Sequence, residues 1–475
     1  MNIAQKIVHN TAIQLAGKII STLLGLVAVS IMTRYLGVEK FGWYSTASGF
    51  LMFTAIISDF GFVAVTASML SQFENQKNRL FDCLFTWRFI TSLVLNSTAI
   101  LVIMFLPYPF EVKMATAILS ASFFFMSLTQ VFIGRCQSEL KMINQAIGEI
   151  LGRILLVVGL ALMVFYNQNF LYLMTVVSLA SALYALYLWL KAGGAKFCFD
   201  RDLSQNIFKK MWPVATAVIF NAIYLQGDKV ILPLFVSQAQ MGLYGAAYRV
   251  VDLVAQTSAM VMGIMMPLIS YAFVQELKEK FNQYLQTSFD LVSLIVLPMS
   301  AGLIALAVPI MVLIAGPQFA YAGIILQLLS LVVLGIVFGM VFGYTAIAIN
   351  RQNKTMWIFI SCAVLSLAGY LIFIPLYGIW GAVGVSIFSE FYAGFGLMKV
   401  SLYYARTKIS FKPFFKILFS SLLMGLAVYF IDLNNLFLSI VLGIILYAGL
   451  ILTLQAVPIQ TIRQTLLTPK DVPPT

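Results

Sequence analysis

Apolar runs of about twenty residues or more follow one another along almost the whole chain, separated by short clusters of charged, amide and turn-forming residues. A run of about 20 apolar residues is what an α-helix needs to cross the roughly 30 Å hydrocarbon core of a bilayer. In the first half the pattern gives spans near 12–33, 42–68, 84–106, 114–134, 143–165 and 170–190. In the second half it gives spans near 213–235, 243–273, 287–308, 320–349, 357–375, 379–401, 414–432 and 435–456. The expectation is therefore an all-α integral membrane protein with fourteen transmembrane helices. The longer stretches leave room for tilt or a kink, and Pro267 and Pro298 are the expected kink sites because each removes a backbone hydrogen bond. The first span is too long for a signal-peptide core and carries Lys18, so it is expected to stay as a helix.

An internal repeat organises these spans. Six of them precede Pro213, and an even number returns the chain to the side it left, so a second copy would run parallel to the first. At an offset of 200 residues, Phe41-Gly42-Trp43-Tyr44 aligns with Met241-Gly242-Leu243-Tyr244, Ala47 with Ala247 and Ser58 with Ser258. The expected organisation is an N-lobe over 1–190, a cytoplasmic linker over 191–212, a C-lobe over 213–402, and two further helices with a tail over 403–475. Parallel repeats of this kind place a binding site between the halves.

Composition agrees: 61% of the residues are hydrophobic and 10% charged, against roughly 45–50% and 25% in soluble domains. Most basic residues fall in alternate loops, whereas the opposite loops hold only Arg34, Lys40 and Lys113. Positive charge marks the cytoplasmic side, which places both termini there. The net charge of +12 is spread over those loops as topology requires, so nucleic acid is not an expected partner. Cys83, Cys136 and Cys198 lie in or beside the same loops and Cys362 in a span, none in a C-x-x-C pair, so reduced thiols are expected. One histidine, His9, leaves no material for a multi-histidine metal site or for histidine acid–base catalysis. No phosphate-binding G-x-x-x-x-G-K-[ST] loop is present, which argues against ATP as the direct energy source.

Lys18, Arg88, Arg153, Lys229 and Arg249 lie within spans, beside Asp59, Glu149, Asp228, Asp252 and Glu390. Each costs at least about 2.5 kcal/mol at a helix centre, so each should face protein or water. Glu149 with Arg153 (i, i+4) and Arg249 with Asp252 (i, i+3) are spaced to pair locally. Asp228 and Lys229 are consecutive and cannot satisfy each other. Arg88 lies one turn inside its span, where snorkelling can relieve it, whereas Arg153 is near mid-bilayer. Lys18, Arg153 and Lys229, supplemented by Arg88 and Arg249, are the candidates for a cationic cavity that receives an anionic headgroup. Asp59, Glu149, Asp228, Asp252 and Glu390 are candidates for charge balance or for binding a coupling H⁺ or Na⁺, and no cofactor is expected beyond such an ion. Gly335, Gly339 and Gly343 form a ribbon whose default role is close helix packing.

Two segments carry a family resemblance. Met32-Thr-Arg-Tyr-Leu-Gly-Val-Glu-Lys-Phe-Gly-Trp-Tyr44, continuing to Ser58-Asp-Phe-Gly-Phe62, resembles the opening of the polysaccharide-transporter family of oligosaccharide flippases. Asn350-Arg-Gln-Asn-Lys354, with Ile374-Pro-Leu-Tyr-Gly-Ile-Trp-Gly-Ala-Val-Gly384 and Ser389-Glu390, looks like that family's eleventh and twelfth helices. The resemblance implies the two-lobed fold of the multidrug and toxin extrusion carriers and the lipid II flippase, with the last two spans forming a groove for an isoprenoid tail. It further implies a multi-pass protein of the bacterial inner membrane that flips a polyprenyl-pyrophosphate-linked glycan, such as a lipopolysaccharide O-antigen repeat unit. Its implied partners are that glycan, membrane lipid, a polysaccharide polymerase and a chain-length regulator. The rival readings are a cation-coupled multidrug exporter and a membrane-embedded polyprenyl-dependent glycosyltransferase or polymerase. An enzyme of the last kind would gather catalytic charges in a large external loop, and the external loops here are short and nearly uncharged.

Overall fold

The computed structural model describes residues 3–59, 62, 66, 69–70, 77–139, 141–431 and 435–456, and every regular element among them is a helix. They run α1 (Ile3–Asp59), α2 (Lys77–Phe105), α3 (Phe110–Ser138), α4 (Met142–Phe165), α5 (Phe170–Lys191), α6 (Arg201–Ile231) and α7 (Gln238–Val274). Then follow α8 (Lys278–Ala315), α9 (Ala320–Ala348), α10 (Gln352–Tyr377), α11 (Ile379–Ala405), α12 (Lys412–Ile431) and α13 (Leu436–Thr453). The expected all-α membrane architecture is present, with 12 of the helices long and apolar enough to cross a bilayer.

Two features reconcile this with fourteen expected spans. The first two spans run on as one kinked helix, α1, because the chain turns at Gly37 (φ 69°, ψ −177°) without leaving helical hydrogen bonding for long. That backbone region is essentially reserved for glycine, since a Cβ collides there with the neighbouring peptides. The seventh expected span lies in α6, whose Arg201, Asp202, Lys209, Asn221, Asp228 and Lys229 hold its hydropathy down. Among the described residues, the two arms of α1 together with α2 to α13 account for fourteen helical segments. The expected continuation of the second span to residue 68 falls mostly outside the described residues.

The kinks differ from expectation in one respect. Pro267 and Pro298 sit inside unbroken stretches of α7 and α8, whereas α8 departs from helical geometry at Leu306 (φ −111°, ψ 16°), three residues before Pro309. A proline ring collides with the carbonyl of the preceding turn and withholds its hydrogen bond, so the opening appears on the N-terminal side of Pro309.

The chain divides into compact units over Met1–Gly242 and Leu243–Pro473, with α6 belonging by its packing to the first. In the first unit an aromatic core of Phe81, Phe85 and Phe132 with Leu84 and Leu188 holds α2, α3 and α5 together. In the second, α9 and α11 meet along the glycine ribbon. A side chain at Gly335 would lie 2.8 Å from Glu390 Cβ, and one at Gly394 would lie 2.9 Å from the Gly335 carbonyl. The ribbon is thus a packing face, as expected.

Cys83 and Cys198 are joined in a disulfide, while Cys136 and Cys362 are free and buried. The expectation of four reduced thiols is corrected for that pair. The segment before α6 is strapped along α2, where the Lys196 amide donates to Asp82 Oδ1 (3.0 Å) and the Cys198 amide to Thr86 Oγ1 (2.8 Å). These bonds bring together two sulfurs that lie 115 residues apart in sequence.

Candidate functional site

The first arm of α1 packs closely on α4 because both helices present small residues where they meet: a side chain at Gly17 would lie 2.6 Å from Ala146 Cβ. That approach brings a polar stripe from each helix into register. Gln14 Nε2 donates to Gln145 Oε1 at 3.2 Å. One turn further, Lys18 Nζ pairs with Glu149 Oε1 at 3.2 Å, and Ser21 Oγ donates to the same oxygen at 2.8 Å. Another turn on, the Arg153 guanidinium lies beside Gly25, where a Cβ would touch it at 3.8 Å. At a rise of about 1.5 Å per residue, Gln14 to Gly25 covers roughly 16 Å of the helix axis.

The charges along this seam are unequal in their partners. Lys18 and Glu149 are 39% and 17% exposed and neutralise each other across the two helices. The expected local pair of Glu149 with Arg153 does not form, because helix packing delivers Lys18 and Ser21 to the carboxylate. Arg153 is half-buried and makes no ion pair with any described residue. It stands roughly 17 Å from either end of α4. Its planar fork of N–H donors is therefore available to a diphosphate or similar anion.

Arg88 serves another purpose. It is 3% exposed and ties three segments together. Its Nη2 pairs with Asp59 at 3.2 Å, Nη1 donates to the Ser58 carbonyl at 2.9 Å and Nε to the Ser127 carbonyl at 3.2 Å. Phe62 covers the guanidinium at 5.3 Å. The expected snorkelling is corrected, since the guanidinium is consumed inside the first unit, and Asp59 is its counter-ion. Removing one member of a buried pair costs about 3–5 kcal/mol because the other charge is left alone. Arg88→Met should therefore lower membrane abundance sharply, with partial recovery in Arg88→Met combined with Asp59→Asn. Quantitative immunoblotting of membranes checks this, and normal abundance in the single variant would refute the tie.

Asp228 is fully buried, and Lys229 donates to Gln226 Oε1 at 2.8 Å while its stem packs on Gly49 in the second arm of α1. Lys229 thus joins the second arm of α1 and does not share the seam. Arg249, Asp252 and Glu390 lie in the second unit, and Glu390 lies against the glycine ribbon. The sequence pattern left out Asp290, a buried acid more than three turns into α8 that accepts from Gln286 Nε2 at 2.8 Å. Gln286 also bonds the Ser410 backbone in both directions, so this cluster clamps the chain before α12. Outside the spans, Glu139 is held below the usual carboxylate range: burial opposes its charge, but hydrogen bonds from Lys141 and Arg135 outweigh it.

The sequence profile of the polysaccharide biosynthesis proteins matches residues 31–324 of the chain. The chain belongs to that family. The succinoglycan biosynthesis transport protein ExoT of Rhizobium meliloti (strain 1021) is 27% identical over 192 residues, which cover 40% of this chain and 37% of ExoT. The matched part thus spans little more than a third of that relative. Among solved structures, the lipid II flippase MurJ in an inward closed conformation superposes with a TM-score of 0.76 at 17% identity, over 92% of this chain and 97% of MurJ. An inward-facing multidrug resistance MATE family transporter of the MOP superfamily gives 0.66 at 15% identity, over 83% of this chain and 97% of that one. The chain has the membrane-transporter fold that these structures share.

Proposed function

We propose that this family member moves a polyprenyl-pyrophosphate-linked oligosaccharide from the cytoplasmic to the outer leaflet of the bacterial inner membrane by alternating access. The observation that carries this reading is Arg153, which has no ion-pair partner among the described residues, beside the Lys18–Glu149 pair and at a depth where an uncompensated cation would be expensive. A diphosphate entering the membrane must exchange its water for fixed donors. Arg153 supplies a planar fork, and Lys18 a mobile ammonium that can turn from Glu149 to the substrate. Glu149, once released, is the group that would accept H⁺ or Na⁺, which gives the coupling ion a place in the cycle. Family membership and the fold likeness to transporters support transport over catalysis, and a polymerase and chain-length regulator would act on the delivered repeat unit.

Complementation tests the proposal. In a strain lacking its own repeat-unit flippase, the chain should restore surface polysaccharide and relieve accumulation of the lipid-linked precursor. Failure there with a gain in dye or antibiotic resistance would favour a cation-coupled drug exporter. A covalent change in the lipid-linked sugar with purified protein, seen by mass spectrometry, would favour a membrane-embedded transferase.

A further inference from the structure

A second site of different chemistry lies in the first unit, between α2 and the start of α6. A cavity of about 440 Å³ is lined by Trp87, Phe199, Arg201, Ser204, Gln205 and Phe208. A deeper one of about 270 Å³ shares Phe208 and continues between Ile90, Val94, Leu95 and Met211. The walls are fixed at one end, where Trp87 Nε1 donates to Ser204 Oγ at 2.8 Å and the Trp87 and Phe208 rings pack edge to face at 4.8 Å. The strap of residues 196–198 along α2 and the Arg79–Asp200 ion pair (2.6 Å) hold the entry to α6 in place.

The two parts of the slot differ in polarity. The deep part offers only the Thr91 hydroxyl, and that hydroxyl already donates to the Trp87 carbonyl at 2.8 Å. A water-soluble ligand would leave its polar atoms unpaired there, so the depth suits a hydrocarbon chain. The mouth carries Arg201, which is exposed and has no ion-pair partner among the described residues, and Lys209 lies two turns further along the same helix. Asp200 does not offset Arg201, because its carboxylate is taken by Arg79 and by the Asp202 and Leu203 amides at the N-cap of α6. Phe199 and Trp212, 71% and 70% exposed, are the residue types that settle at a membrane interface.

We propose that this slot binds one anionic phospholipid, its acyl chain running between α2 and α6 and its phosphate meeting Arg201. Basic pockets between membrane helices on the side of positive loops recognise acidic headgroups in this way. The site is separate from the seam of α1 and α4 and does not depend on which substrate crosses the membrane.

Photolabelling of the full chain in nanodiscs tests it, with phosphatidylglycerol or phosphatidylcholine carrying a diazirine on the acyl chain. Phosphatidylglycerol should label residues 90–95 and 208–211 preferentially. Arg201→Gln should reduce that labelling about fivefold, the effect of one basic residue at an anionic surface, and leave phosphatidylcholine labelling unchanged. Leu95→Trp, which fills the depth, should abolish it for both lipids, with melting curves confirming that the variant is folded. Arg201→Lys should restore most of the preference. Equal labelling by the two lipids in the natural sequence, or labelling indifferent to Arg201→Gln, overturns the proposal. Displacement by undecaprenyl phosphate at a lower ratio than by unlabelled phosphatidylglycerol would overturn the assignment to a phospholipid.

Discussion

Gly42→Ala and Gly242→Ala should each remove most of the folded protein from the membrane, whereas Gly384→Ala should leave abundance unchanged. A side chain at Gly42 would overlap the Gln238 carbonyl, 2.6 Å from its carbon, and one at Gly242 would overlap the Val38 carbonyl, 3.1 Å from its carbon and 3.0 Å from the Gly42 nitrogen. Both obstacles are backbone, so no side-chain rotation relieves them and the helices themselves must separate. Overpacking typically costs about 1–3 kcal/mol and more where the backbone has to move. Gly384 is also helical but has open space where its Cβ would go. The comparison therefore isolates the contact from the general effect of alanine in a helix. Normal abundance and an unchanged melting temperature in both of the first two variants would refute it.

The same contact falls on the 200-residue offset seen in the sequence. Val38 and Gln238, like Gly42 and Gly242, are 200 residues apart, and within the first unit the Gln238 carbonyl lies over Gly42 and the Val38 carbonyl over Gly242. The offset was legible in Phe41-Gly42-Trp43-Tyr44 and its counterpart. The reason for glycine at both Gly42 and Gly242 was not, because only packing shows two carbonyls arriving there.

The seam was partly legible in the same sense. Gln14, Lys18, Ser21 and Gly25 fall on one face of an otherwise apolar helix, and Gln145, Glu149 and Arg153 recur every fourth residue. Two polar stripes in apolar helices must turn toward each other, toward other protein or toward water. Partner choice was not legible. Spacing along one helix favours Glu149 with Arg153, but such a pair is worth only about 0.2–0.5 kcal/mol, and the fit of Gly17 on Ala146 decides for Lys18 instead. Arg88 was misjudged for a related reason, since closeness to a span end says nothing about which carbonyls a neighbouring helix presents. The Cys83–Cys198 bond had no local signature at all, its partners being brought together by a strap whose backbone amides donate to the Asp82 and Thr86 side chains.

Arg153→Gln should abolish transport while leaving the protein at normal abundance, and Lys18→Met should do the reverse first, lowering abundance before transport can be judged. The contrast follows from partners. Arg153 has no acid to strand, so its loss leaves no uncompensated charge among the described residues. Lys18 neutralises Glu149, whose carboxylate is 17% exposed, and its removal leaves that charge in the membrane. The penalty falls below the 3–5 kcal/mol of a fully buried pair because Lys18 is itself 39% exposed. Combining Lys18→Met with Glu149→Gln should restore abundance but not transport, since the ammonium proposed to meet the substrate is still missing. Arg153→Lys keeps the charge and loses the fork, so it should retain activity reduced about tenfold, the worth of one charge-assisted hydrogen bond. Transport assays in the complemented strain, normalised to membrane abundance, read all four. If Arg153→Gln transports normally, the cation is structural. If it loses abundance and Glu149→Gln in the same chain restores both abundance and transport, Arg153 belongs to the charge balance of the seam and has no place at the substrate phosphate.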